Sequence, residues 1–484
     1  MRLPDAPGRT RRAFWLGLTT GAVYFTGTLY WLVETMTTFG GLAMPVAVFA
    51  AGVLVAYLAL FPAAFAVIVV RLKSSLGQTW ALLLAPAVWV ATELGRQYVW
   101  DGFPWELLGY SQVTVLPIAQ LASVVGVYGL SGLLAFVSCA AALAITGRNR
   151  ARWIPLSAAV AGVAVTAGWG AQRLNRAALT STGDPVRTAV VQGNIAQEDK
   201  WNPAYRDRIT DRYIGMTRQA IAKGATFILW PESSTPFYFE EDFVRGGIIR
   251  RLARESGATL LIGSDQVEPV RAVADSTPSE RYYNAAFLVK PDGTTGAVYR
   301  KMHLVPFGEY VPLKRLLFFV GPIVEAVSDF TPGDAPVLLP VGDHLASTAI
   351  CYEVIYASLM RQFVLEGSEL LTTITNDAWY GRSSAAYQHW DQAAMRAIEN
   401  GRYLARAANT GISGFVDPYG RVLAKADLFE QALLVEDIRF LQSRTIYSRV
   451  GDLVAWLSLA LTAAALLASF TRLRESYGGQ ARLR

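Results

Sequence analysis

The chain has 484 residues, 52% of them hydrophobic and 17% charged, with a formal net charge of +6. It is long enough for two or more domains, and its balance of apolar to charged residues favours a membrane protein over a soluble one. The basic residues collect in short segments flanking apolar runs and the rest of the chain is net negative, which excludes a nucleic-acid surface as the reason for the positive charge.

Six runs carry no charged residue: Ala13–Val33, Leu42–Val70, Ser74–Thr92, Leu107–Gly147, Trp153–Gln172 and Leu453–Thr471. A helix needs about 20 apolar residues to cross a bilayer, so six spans are expected. The fourth run is too long for one straight span, and its start is expected to lie outside the membrane or to re-enter it. Arg2, Arg9, Arg11 and Arg12 precede the first span; Arg71 and Lys73 follow the second. Arg148, Arg150 and Arg152 follow the fourth; Arg472, Arg474, Arg482 and Arg484 follow the sixth. These are alternate loops, so they mark the cytoplasmic side and put the long polar block Arg173–Ser448 on the other side. The first run has a full span's length and no small-residue cleavage site, so it reads as a retained helix rather than a removable leader. The expected organisation is a membrane part of about five helices over 1–172, an extracytoplasmic domain over 173–448, and a last helix with a basic tail over 449–484.

Within the polar block, short β-rich runs alternate with helical stretches. Strands are expected at Val186–Val191, Thr226–Leu229, Thr259–Ile262, Leu345–Ile350, Leu370–Ile374, Leu404–Ala408 and Gly414–Asp417. Asn284–Val289 and Gly296–Tyr299 flank the turn Pro291-Asp292-Gly293 and read as a hairpin. Helices are expected at Tyr205–Lys223, Phe243–Ser256 and Gln388–Asn400. Such alternation points to an α/β fold with a covered sheet. Glu232, Cys351 and Asn376 each fall just past the end of an expected strand, the edge where open α/β sheets place their chemistry.

Cys351 is the only cysteine of the polar block; Cys139 lies inside the fourth apolar run. A lone thiol in an oxidising compartment is either buried and inert or kept for its reactivity. A free thiol titrates near 8.5, so only about 3% is thiolate at pH 7. Acyl transfer therefore needs a base for the proton and donors for the oxyanion. Glu232 supplies a carboxylate base. Lys301 supplies a fixed cation that can hold the oxyanion together with the backbone N–H of Tyr352, and Glu309 can return to orient Lys301 or a substrate amine. Taken singly, a carboxylate after a strand is usually a cap, and a lysine is usually a surface charge. The three together, each in an aromatic and proline-rich setting, argue for chemistry. His303, His344 and His389 are scattered without metal-ligand spacing. No glycine cluster has the pattern of a phosphate loop.

The strings that carry these residues resemble the apolipoprotein N-acyltransferase family, membrane members of the nitrilase (carbon–nitrogen hydrolase) superfamily. They are Val191-Gln192-Gly193-Asn194-Ile195, Trp230-Pro231-Glu232, Lys301 through Pro312, Ile350-Cys351-Tyr352-Glu353 and Asn376-Asp377-Ala378-Trp379-Tyr380-Gly381. In the membrane part, Gly102-Phe103-Pro104-Trp105 and Leu108-Gly109-Tyr110-Ser111-Gln112 match as well. The resemblance implies an αββα nitrilase-like sandwich inserted in a polytopic α-helical membrane domain, with Glu232, Lys301 and Cys351 as a catalytic triad. It also implies functional roles for Glu309, Tyr352, Glu353 and Trp201. The implied reaction moves an acyl chain from a membrane phospholipid, typically phosphatidylethanolamine, through a cysteine thioester to the N-terminal amine of the diacylglyceryl-cysteine of an apolipoprotein. No metal or nucleotide cofactor is implied. The implied site is a bacterial inner membrane with the catalytic domain in the periplasm. The family usually has eight spans, and the first run here, with Tyr30-Trp31 and Thr38-Phe39-Gly40-Gly41, matches its third. Tyr380 stands where phenylalanine is usual. A membrane-tethered amidase or nitrilase acting on a small soluble amide would use the same triad, but it would have no need of the motifs in the membrane part.

Overall fold

Apolar and polar runs separate in the computed structural model, which describes residues 8–100, 102–270, 279–306, 308–310 and 330–481. Two units form. One comprises 1–30, 45–176 and 450–484; the other comprises 31–44 and 177–449. Arg2, Phe307, Val311, Pro312, Arg482 and Arg484, named above or within the strings given there, lie outside the described residues.

The first unit is helical. Its long elements are α1 (Arg9–Thr28), α3 (Met44–Leu76), α4 (Gln78–Tyr98), α6 (Ala122–Thr146), α7 (Trp153–Arg176) and α13 (Leu453–Ala481), with a short α5 at Leu116–Ala119. They coincide with the six apolar runs. Among the described residues, four helical stretches are long and apolar enough to cross a membrane: Met44–Leu76, Ala122–Thr146, Arg150–Thr180 and Leu453–Thr471. The helices α1 and α4 have the length but a more polar sequence, and they fall short of that composition. The long fourth run becomes regular helix only at Ala122; before it come a 3₁₀ turn at Leu108–Gln112 and α5. Small residues set the packing, as expected where close backbone approach rather than hydrophobic exclusion drives association. A Cβ at Gly17 would lie 2.5 Å from the Pro62 carbonyl oxygen, so α1 and α3 meet backbone to backbone there.

The second unit carries two six-stranded sheets among the described residues. The first runs β12-β1-β2-β3-β4-β5, from β1 (Pro185–Gln192), β2 (Phe227–Leu229), β3 (Thr259–Val270), β4 (Ser279–Val289), β5 (Thr295–Arg300) and β12 (Ala432–Arg439). The second runs β11-β10-β9-β8-β7-β6, from β6 (Leu339–Val341), β7 (His344–Ile350), β8 (Leu370–Thr375), β9 (Leu404–Ala408), β10 (Gly414–Val416) and β11 (Val422–Lys425). Each sheet has a parallel trio at its centre, β1–β2–β3 and β7–β8–β9, with antiparallel strands outside. The sheets face each other where β1 meets β9 and β4 meets β7. Outside the first lie α8 (Arg206–Ala222) and α9 (Phe243–Ser256); outside the second lie α10 (Ala357–Glu366) and α11 (Ser384–Asn400). The layers therefore read α, β, β, α.

Residues of β2, β8 and β9 are buried throughout, as expected of strands covered on both faces. A core between the first sheet and its helices holds Tyr213, Trp230, Phe239, Ile249 and Phe287. The short helix α2 (Trp31–Thr38) also belongs to this unit, although it begins inside the first apolar run. Trp31 Nε1 donates to Gln388 Oε1 at 3.2 Å, and its ring meets Tyr380 edge-on at 5.0 Å. Thr35 Oγ1 donates to the Trp379 carbonyl at 2.8 Å.

Candidate active site

Glu232, Lys301 and Cys351 come from three different strand ends. Glu232 follows β2, whose exit is anchored by Trp230. That indole is fully buried, stacks on Tyr213 at 5.0 Å and donates Nε1–H to Thr217 at 2.8 Å. The turn after Glu232 is tight: Ser233 has φ +41°, a left-handed conformation that costs about 1–3 kcal/mol in a non-glycine residue. Ser234 N–H donates to the Gly263 carbonyl at 2.8 Å, and a side chain at Gly263 would collide with the Pro231 carbonyl. Lys301 directly follows β5 and is 1% exposed. Cys351 directly follows β7 and opens a 3₁₀ turn, Cys351–Ile355, at φ +53°.

The charged side chains then meet. Lys301 Nζ lies 2.9 Å from Glu309 Oε1 and 3.5 Å from Glu232 Oε1. Asn284 Nδ2 donates to both carboxylates, at 2.6 Å to Glu232 Oε1 and 2.8 Å to Glu309 Oε1. Glu232 Oε2 accepts the Asn376 N–H at 2.8 Å, and Glu309 Oε2 accepts the Val305 N–H at 2.8 Å. Burial would strip Lys301 of its proton, but Glu309 and Glu232 more than offset this and keep it a cation well above the ordinary lysine range. Burial, then the Glu232 charge, raises the Cys351 thiol, while Lys301 and a hydrogen bond with Thr375 pull it down. Burial thus favours the neutral thiol of Cys351.

The other expected residues divide. Glu309 lies against Lys301, its Oε1 accepting from Nζ at 2.9 Å. Tyr352 and Glu353 are buried beside Cys351. Glu353 Oε1 accepts from Tyr299 Oη at 2.8 Å, Met302 N–H at 2.6 Å and His303 N–H at 3.1 Å; its Oε2 accepts the Ile350 N–H at 2.7 Å. Burial pushes its carboxyl up to about 7, with the Ile350 N–H and Lys301 pulling the other way. It thus ties the loop after Lys301 to the turn that carries Cys351. Trp201 stands apart: it is 43% exposed and lies 6.5 Å from Tyr238, which lies 6.4 Å from Tyr282. This row of rings forms a partly exposed aromatic surface, whereas Phe237 and Trp390 are core.

Four contributors escape a reading of the sequence. Asn284 sits in β4 with nothing to mark it. Lys200, one residue before Trp201, is 4% exposed, and its Nζ donates to the Glu232 carbonyl at 3.1 Å. Burial lowers it to about 8, against the pull of Glu232, Asp265 and Cys351. Asp265 accepts from Ser233 Oγ at 2.9 Å, and burial raises its carboxyl to about 6. His389, set aside for lack of metal-ligand spacing, is fully buried behind Cys351.

A family model described as carbon-nitrogen hydrolase matches residues 187–446, and one described as the apolipoprotein N-acyltransferase N-terminal domain matches residues 3–140. The apolipoprotein N-acyltransferase of Geobacter metallireducens is 39% identical over 96% of this chain and 88% of its own length. The chain belongs to the apolipoprotein N-acyltransferase family. The enzyme of that name from Methylococcus capsulatus is 35% identical over 92% of this chain and 85% of its own length. Among solved structures, an amidase from Nesterenkonia sp. is 22% identical, covers 55% of this chain and 94% of its own, and superposes with a TM-score of 0.39. The chain is thus a membrane-embedded acyltransferase of lipoprotein biosynthesis, built from a nitrilase-like domain and a helical membrane part.

Proposed function

We propose that this enzyme transfers an acyl chain from a membrane phospholipid, with phosphatidylethanolamine the expected donor, to the α-amine of the diacylglyceryl-cysteine that begins an apolipoprotein. The observation that supports it most is the buried convergence of Glu232, Lys301 and Cys351 in a chain of this family. Glu232 takes the Cys351 thiol proton as sulfur attacks the ester carbonyl. Lys301 Nζ and the Tyr352 N–H hold the oxyanion. The carbon–oxygen bond to glycerol breaks, Glu232 returns the proton to the leaving alkoxide, and a lysophospholipid departs, leaving the thioester. In the second half the acceptor amine attacks that carbonyl and gives up its proton to Glu232. The carbon–sulfur bond breaks, and the thiolate recovers the proton. Glu309 orients Lys301, Glu353 braces the loops, and the exposed Trp201 with Tyr238 offers an aromatic surface for the incoming chains.

The arginine distribution supports an inner-membrane topology with both termini cytoplasmic and the sandwich in the periplasm. On this reading the membrane domain covers 1–172, the catalytic domain 173–448 and the last helix and tail 449–484. Incubation of purified full-length enzyme with phosphatidylethanolamine tests the chemistry. Intact mass is expected to gain one acyl chain on Cys351, removable by neutral hydroxylamine, with lysophospholipid released in equal amount before any lipopeptide is added. Adding a diacylated lipopeptide then discharges the chain onto its amine. Glu232→Gln and Lys301→Met each slow acylation by about 10²–10³-fold or more. Normal transfer by Cys351→Ala overturns the mechanism.

A further inference from the structure

Three buried ionisable groups behind the nucleophile have no part in the mechanism above. His389 on α11 and Arg406 on β9 are fully buried, and Asp377, in the turn after β8, is 1% exposed. His389 Nε2 lies 3.1 Å from the main-chain carbonyl oxygen of Cys351. A carbonyl can only accept, so Nε2 carries the proton and donates it. On the other edge of the ring, Arg406 Nη2 approaches Nδ1 at 2.9 Å and Asp377 Oδ2 at 2.8 Å, while Asp377 Oδ1 stands 3.0 Å from Nδ1 and accepts from Thr375 at 2.7 Å. Burial, then the Arg406 charge, pushes His389 down, with Asp377 and the Cys351 carbonyl pulling the other way. Burial alone would raise Asp377, but Arg406 and His389 hold it well below the usual carboxylate range, so it remains the counter-ion of Arg406.

The carbonyl that His389 grips belongs to the same peptide unit as the Tyr352 N–H. A trans peptide is planar, with C=O and N–H pointing in opposite directions. Whatever fixes the Cys351 carbonyl therefore fixes the aim of the Tyr352 N–H. The fixing matters because Cys351 sits at φ +53°, where a residue with a side chain is not held by local preference. We propose that His389, held by Asp377 and Arg406, is a positioning residue that aims the Tyr352 N–H at the oxyanion. This rests on the thioester mechanism proposed above.

The test separates oxyanion stabilisation from thiol reactivity in the full-length enzyme. One arm follows single-turnover acylation of Cys351 by phosphatidylethanolamine in detergent micelles, read by intact mass. The other follows alkylation of Cys351 by iodoacetamide at the same pH, a displacement that builds no oxyanion. His389→Leu is expected to slow acylation by about 10²-fold, the order seen when one oxyanion donor is lost, and to leave alkylation within about threefold. His389→Gln, whose amide N–H can reach the carbonyl, recovers much of the acylation rate. If His389→Leu does not fold, His389→Asn, too short to reach, must show the same selective loss. Unchanged acylation in the variant that folds overturns the proposal, as does an equal fall in acylation and alkylation. Failure of the underlying mechanism is distinct, because the wild-type enzyme would then carry no acyl chain on Cys351.

Discussion

Replacing Asn284 by leucine isolates the device that holds the base and its partner carboxylate in one place. The Asn284 amide donates to Glu232 at 2.6 Å and to Glu309 at 2.8 Å, and it is 4% exposed. Asn284→Leu keeps the volume and removes both donors. A hydrogen bond to a charged group contributes about 1.5–3 kcal/mol. Only the Glu232 bond bears directly on the base, and one factor of ten in rate corresponds to about 1.4 kcal/mol, so acylation of Cys351 should slow by about 10–100-fold. Glu309 keeps Lys301 and the Val305 N–H, so Lys301 stays in place and residual turnover survives. Two charge-assisted hydrogen bonds are lost while Lys301 stays against both oxygens, so folding stability should fall by about 3–6 kcal/mol in all, at about 1.5–3 kcal/mol for each bond. The assay is the rise of the acylated mass over time at saturating phospholipid, with a thermal melt of the same sample. A rate within twofold of wild type, in a variant shown to be folded, would refute the view that Asn284 sets the geometry of the base.

Lys200, lowered to about 8 in the folded state against about 10.4 in an unfolded chain, makes stability depend on pH. Between those values the unfolded chain binds more protons, so wild-type stability should rise from pH 8 to 10 relative to Lys200→Met; parallel denaturation midpoints across that window would contradict it. Trp31→Ala removes the ring that packs on Tyr380 and the donor to Gln388, so limited proteolysis should cut within 31–44 much faster than in wild type. Asn376, next to that turn, should then hold Glu232 less well, and acylation should slow several-fold. Cysteine-accessibility labelling should place a probe at Asp292 outside the cytoplasm; labelling only from the cytoplasmic side would overturn the topology.

Much of the fold is legible from local pattern. The expected helix Phe243–Ser256 and strand Leu404–Ala408 coincide with α9 and β9, because Asp242 caps the one, with its side chain accepting the Arg245 N–H, and a short run that is apolar but for Arg406 makes the other. The strands β6, β11 and β12 and the helix α10 were not expected. Of these, β11 is largely exposed and β12 is only half-buried along most of its length, so neither has a clean alternation. Their identity as strands comes from the neighbours they pair with, β10 and β1.

The sequence by itself singled out Glu232, Lys301 and Cys351 as the proposed catalytic groups, because they sit in short strings whose meaning is local. It also determined the six apolar runs, because span length and charge are one-dimensional properties. The tertiary structure alone decided what holds those side chains. Asn284, Lys200, Asp265 and His389 lie between 25 and 52 residues in sequence from the site groups they bond, and they meet those groups only because sheet pairing brings strand ends together. It also decided that Trp31–Met44, which by sequence only joins the end of one apolar run to the start of the next, belongs with the unit that carries the two sheets. Hydrogen-bond geometry and burial are pair properties of distant residues, and a linear pattern carries no record of them.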